Sequence, residues 1–131
     1  MLDLGCRAGG FDVLLSARRV GPRGRVYGMD MTDEMLELAE RNRRVPDADS
    51  VEFLRGRIED IPLADGSVEV ALSNCVINLS PDKERVFAEG VPGASATGRL
   101  AITDIAVLEP LPETIRATLE RSNGSLRIGG A

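Results

Sequence analysis

Apolar residues fall in short blocks separated by glycine, proline and charge, and their spacing alternates between two kinds. Leu2 and Leu4 flank Asp3 in a brief apolar stretch that Gly5 stops, with Gly9 and Gly10 close behind. Phe11, Leu14, Leu15 and then Ala17 to Val20 recur at helical spacing until Gly21-Pro22 ends the run. Arg25 to Met29 predicts a strand closed by Asp30. Thr32 stands where a helix N-cap belongs, and Asp33 and Glu34 place acids in the first turn, where the helix dipole favours them. Met35, Leu38 and Ala39 share one face of that helix, which is expected to run to about Arg44, before Pro46.

The alternation then repeats. Val51 to Leu54 and Val68 to Leu72 predict strands, separated by a loop with an Asp65-Gly66 turn signal. Ser73, Asn74 and Cys75 follow at the carboxyl end of the second of these. Ser80-Pro81 predicts a helix start with proline at the first helical position, and the segment from Gly90 to Ser95 breaks that helix early. Leu100 to Ile105 predicts a last strand, and Leu111, Ile115 and Leu119 mark one face of a last helix after Pro112. Strands alternating with helices predict an α/β domain: a Rossmann-like, doubly wound, mainly parallel sheet of about five strands, with residues 1–131 as a single domain.

Composition narrows the chemistry. With 131 residues, 43% of them hydrophobic, the chain can bury a core. His is absent, so a Ser-His-Asp triad, a Cys-His pair and a His-ligated metal are excluded. A net charge of −5 and the lack of Trp argue against nucleic acid as a partner. No apolar run approaches the roughly 20 residues needed to cross a bilayer, so no membrane partner and a soluble, cytoplasmic protein are expected. Two cysteines, Cys6 and Cys75, make neither a disulfide framework nor a four-thiolate zinc site.

In such a sheet, ligands bind at the carboxyl ends of strands where the winding reverses. The first strand runs into Gly5-Cys6-Arg7-Ala8-Gly9-Gly10 and a helix start, where glycines let the backbone approach a ligand. Asp30 closes the next strand 20 residues beyond Gly10, about the spacing at which an acid takes a ribose hydroxyl. The pattern predicts a cofactor containing adenosine; the competing reading is a tight turn and a surface Asp. The glycines fit a dinucleotide motif poorly, whereas the order of Asp3 and Gly5 resembles the first motif of class I methyltransferases, which bind S-adenosylmethionine.

The segment from Ser73 to Lys83, with Asn74-Cys75-Val76-Ile77-Asn78-Leu79-Ser80-Pro81 at its heart, resembles the hallmark of arsenite methyltransferases. Gly28 to Thr32, Ile58 to Pro62, Arg99 to Ile105 and Leu111 to Arg116 agree with the same family, in order. The resemblance implies methyl transfer from S-adenosylmethionine to trivalent arsenic (arsenite or its thiol conjugate), a role in arsenic detoxification, and a thiol reductant as partner. It implies that Cys75 is the arsenic ligand and catalytic thiol, soft thiolate suiting arsenic. It places Asp3, Gly5 and Gly9 around the methionine part of the cofactor and Asp30 on the ribose hydroxyls. Met31 would pack on the adenine, Ile58 and Glu59 would meet its edge, and Asn74 would line the floor beside Cys75. Packing alone remains the other reading for Cys75, Met31 and Ile58, and a solvated carboxylate for Glu59. Cys6 is expected to be a packing residue, with a Cys6–Cys75 arsenic pair as the lesser alternative.

Three departures from the family stand out. Arg7 occupies a glycine position of the loop, Glu89 to Gly98 replaces the usual helix end and turn, and both ends look truncated relative to the family. Relatives use a further cysteine in the region of Ser122 to Ser125, so this chain alone cannot form a three-thiolate cage. An exposed sheet edge is expected as well. The rival functions are a methyltransferase for another small-molecule acceptor and an inactive, arsenite-binding remnant.

Overall fold

The structure, a computed structural model, describes residues 1–43, 48–90, 94–105 and 112–115. In chain order the elements are β1 (Leu2–Leu4), α1 (Phe11–Ala17), β2 (Val26–Asp30), α2 (Asp33–Asn42), β3 (Val51–Arg55), β4 (Val68–Asn74), α3 (Lys83–Gly90) and β5 (Ala94–Thr103). The strands form one sheet in the order β3-β2-β1-β4-β5, and every pairing is parallel. The winding reverses between β1 and β4, which leaves a crevice at their carboxyl ends.

Two apolar clusters cover the two faces of the sheet. Val13 and Ala17 of α1 pack with Cys6, Val26 and Val51 on one. Leu2, Leu4 and Met29 pack with Ile61 and Val68 on the other, where Ile58 and Leu63 lean in from the segment after β3. Leu2, Leu4 and Met29 are almost wholly buried, as expected of short parallel strands covered on both sides.

Several boundaries differ from expectation for identifiable reasons. α1 stops at Ala17 rather than Val20 because the Ser16 carbonyl accepts the N–H groups of both Arg19 and Val20, tightening the chain before Gly21. α2 starts after Thr32, yet its hydroxyl does not cap the helix; it donates to Asp30 at 3.0 Å instead. The helix is described to Asn42, and Arg44 lies outside the described residues. α3 begins at Lys83, two residues past Pro81, because the Asp82 carboxylate accepts the Arg85 N–H at 3.0 Å and acts as the cap. β5 starts at Ala94 rather than Leu100, pairing with Val68 across an irregularity before Val70 meets Arg99. It ends at Thr103, where Asp104 turns toward Asn78. Of the last expected helix only a turn at residues 113–115 is described; Leu111 and Leu119 fall outside the described residues. Among the described residues, no strand pairs with the outer edge of β5.

Candidate active site

At the carboxyl end of the sheet the glycine loop is held by backbone bonds. The N–H groups of Gly5 and Cys6 both donate to the Met29 carbonyl, at 2.9 and 2.8 Å, hanging the loop from β2. Gly5 has φ +75, and a Cβ there would lie 2.5 Å from Val76 Cγ2, so glycine is what lets the loop after β4 come down over the loop after β1. Arg7 adopts φ 50 without being glycine; its side chain is exposed, which gives it the way out of the turn that it needs.

Between these loops lies a cleft of about 390 Å³. It brings together Gly5, Asp30, Met31, Ile58 and Glu59 from the expected site, and adds Arg7, Met29, Thr32, Met35, Gly56, Arg57, Val76, Leu79, Ser80 and Pro81. Larger openings of about 720 and 520 Å³ lie around Arg23, Gly24 and Arg25, at the amino ends of the strands, where parallel sheets do not build their sites.

Two carboxylates stand in the cleft wall. Oδ1 of Asp30 accepts the N–H and the hydroxyl of Thr32, both at 3.0 Å, and Oδ2 accepts the Arg7 N–H at 3.1 Å. A carboxylate has about four acceptor positions, so Asp30 retains one for a ligand hydroxyl. Glu59 accepts a hydrogen bond from the Ser80 hydroxyl through Oε1 and faces the Arg57 guanidinium at 3.4 Å through Oε2. Ser80 is buried, and its oxygen in turn accepts the Asp82 N–H at 3.1 Å.

Asp3, Gly9, Asn74 and Cys75 do not line this cleft. Asp3 is buried in the middle of β1, and burial, with the Asp12 carboxylate nearby, pushes its carboxyl up to about 7. Gly9, at φ +69, lies against Ala39 and Phe53 with no room for a Cβ. Asn74 donates to Asp12 and accepts from the Thr103 hydroxyl, tying α1, β4 and β5 together.

Cys75 follows β4 in a left-handed conformation, φ 55, with its N–H donated to the Thr103 carbonyl at 2.8 Å. It is exposed, whereas Cys6 is buried in the core, where lost solvation and the nearby Asp3 and Asp30 push its thiol up to about 12. Cys6 thus has the setting of a core side chain, packed with Val13, Ala17, Val26 and Val51. Among the described residues no group of three or more His, Cys, Asp or Glu side chains could hold a metal ion. No helix among them is long and apolar enough to cross a membrane.

The sequence reading missed Val76, Leu79, Ser80 and Pro81 as cleft residues. A signal was present: these residues directly follow Cys75 on a connection leaving the carboxyl end of a central strand, the place where such sheets build their sites.

The chain matches the family described as a methyltransferase domain over residues 1–128. An arsenite methyltransferase of Halobacterium salinarum is 47% identical over 116 residues, covering 88% of this chain and 29% of that protein. One of Homo sapiens is 36% identical over 125 residues, covering 88% of this chain and 33% of that protein. A demethylmenaquinone methyltransferase of Lactococcus lactis is 34% identical over 89 residues, 68% of this chain and 35% of that protein. The crystal structure of an arsenic(III) S-adenosylmethionine methyltransferase from Chlamydomonas reinhardtii superposes with a TM-score of 0.82 at 35% identity, covering 95% of this chain and 44% of that one. The chain thus spans about a third of the length of the curated arsenite methyltransferases it matches. Sheet order, glycine loop, cleft and these likenesses agree: the chain belongs to the S-adenosylmethionine-dependent methyltransferase family, with the Rossmann-like core of class I and arsenite methyltransferases among its relatives.

Proposed function

We propose that this chain carries the methyl-transfer site of an arsenite methyltransferase, with Cys75 holding trivalent arsenic, as arsenite or its thiol conjugate, for methylation. The observation that carries this reading is the position of Cys75. Its exposed thiol immediately precedes Val76, and Val76, Leu79, Ser80 and Pro81 wall the cleft that holds Asp30 and Glu59. A soft ligand for arsenic therefore sits on the same short loop as the wall of the candidate cofactor cleft.

The residues present fit S-adenosylmethionine. Met31, Met35, Ile58 and Leu79 offer apolar surface to an adenine ring, and Asp30 keeps an acceptor position for a ribose hydroxyl. Glu59 and Ile58, which line the same cleft, are the residues assigned to the ring edge. Asp3, Gly5 and Gly9 are assigned to the methionine end, and Asn74 to the floor beside Cys75. When bound, the cofactor supplies an electrophilic methyl group on a sulfonium. The chain's own task is positional: Cys75 fixes arsenic, and the cleft fixes the donor, so that nucleophile and methyl group meet in line. The arsenic lone pair carries no proton, so no general base is needed and the lack of His is no obstacle. Thiol reductant, as external partner, keeps arsenic trivalent, and the reaction serves arsenic detoxification.

Incubation with arsenite, S-adenosylmethionine and a thiol reductant tests this. Methylarsenite should form, and Cys75→Ser should abolish it while leaving cofactor affinity nearly intact; unchanged formation in that variant removes Cys75 from the site. A second reading, transfer to an organic acceptor, is favoured by the burial of Cys6, which leaves a single accessible thiol, too few for an arsenic site of several thiolates. Inhibition of transfer by arsenite separates the two.

A further inference from the structure

The loop from Cys75 to Pro81 is fastened to the end of β5 at two points. The Cys75 N–H donates to the Thr103 carbonyl at 2.8 Å. Three residues on, the Asp104 carboxylate receives both kinds of N–H group that Asn78 offers: its backbone N–H at Oδ2, 3.1 Å, and its side-chain amide at Oδ1, 2.6 Å. The same amide also reaches the Ile105 carbonyl at 2.5 Å. Between these two points Cys75 holds φ 55, an unfavourable conformation for a residue with a Cβ, which persists only where its surroundings over-determine it. Asp104 lines no part of the cleft.

We propose that Asp104 is a positioning residue: by accepting both N–H groups of Asn78 it fixes the one loop conformation that presents the Cys75 thiol and sets Val76 and Leu79 against the cofactor cleft. Bidentate acceptance is what the role needs. In Asp104→Asn one acceptor becomes an N–H donor facing the Asn78 N–H groups, so one bond is lost and a repulsive contact takes its place. Asn78→Ala removes the side-chain amide from the other end of the same contact and leaves the backbone N–H at 78 its acceptor.

Amide hydrogen exchange on the folded 131-residue chain, with titration of S-adenosylhomocysteine, tests this. Asp104→Asn should raise exchange at the Cys75 amide about tenfold although its own acceptor is untouched, and weaken the ligand by a similar factor, the loss expected for a hydrogen bond to a charged group. Asn78→Ala, which loses the amide's bonds to Asp104 and Ile105, should move both in the same direction. Exchange at Cys75 and ligand affinity both within about twofold of the parent would overturn the proposal, since a bond to a charged group is worth more than that. So would an equal rise through Leu4 and Met29, which would mark general destabilisation. The ligand arm rests on the function proposed above; the exchange arm does not, so a parent chain that binds no ligand still reports on the clamp.

Discussion

The backbone N–H of Arg7 donates to Oδ2 of Asp30 at 3.1 Å, tying the glycine loop to the end of β2. With both Thr32 donors on Oδ1, Asp30 anchors the loops of the cleft, besides the role toward the ribose proposed for it. Asp30→Ala is therefore expected to weaken S-adenosylmethionine and also to lower the unfolding free energy by about 1–3 kcal/mol. Calorimetry and urea denaturation read the two effects. Unaltered affinity would remove Asp30 from the ribose site, and unaltered stability would show that the three bonds contribute nothing in solution.

Arg7 supplies a second prediction. Its left-handed backbone costs about 1 kcal/mol that glycine would not incur. Against the greater chain entropy of unfolded glycine, Arg7→Gly should gain about half a kcal/mol and tighten cofactor binding. The urea midpoint should move up; a downward movement would mean that the exposed Arg7 side chain stabilises the loop by some other contact.

Gly5 should tolerate nothing larger. A methyl group at this position would sit 2.5 Å from Val76 Cγ2 on a backbone of φ +75. Gly5→Ala is expected to cost about 2 kcal/mol or more and to push the Cys75 loop away from the cleft. Urea denaturation and the alkylation rate of Cys75, with buried Cys6 as the slow internal reference, measure both. A parent-like midpoint would show that the loop gives way freely.

Asp3 makes stability depend on pH. Its carboxyl is raised from the usual 3.8 to about 7 by burial and by Asp12. The folded chain thus holds this proton more tightly than the unfolded chain does. The stability Asp3 contributes is complete below about pH 4 and is lost as pH rises through about 7. Asp3→Asn should flatten that slope, so that between pH 4 and 8 its stability relative to the parent rises by an amount on the order of a few kcal/mol. Equal pH slopes for the two proteins would show that Asp3 is ionised at little cost.

Much of this molecule was legible because it depends on short-range signals. Gly5 and Asp30 mark the ends of two adjacent strands, and parallel topology alone places them at one crevice. What escaped was competition between partners far apart in sequence. Thr32 has the right residue type and place for a cap, but Asp30 takes its hydroxyl. Ser80-Pro81 looks like a helix start, but Ser80 donates to Glu59 and the cap passes to Asp82. The clamp of Asp104 on Asn78 spans 26 residues and has no local spacing to betray it. The role of Val76 became visible only when Gly5 was found beneath it.

The claim on which the rest depends is that the cleft between Asp30 and Glu59 receives S-adenosylmethionine. Calorimetric titration of the cofactor into the purified, folded chain tests it most directly. The expected result is saturable one-to-one binding that Asp30→Ala weakens and Cys75→Ser leaves nearly intact. A folded chain that gives no saturable binding would contradict it.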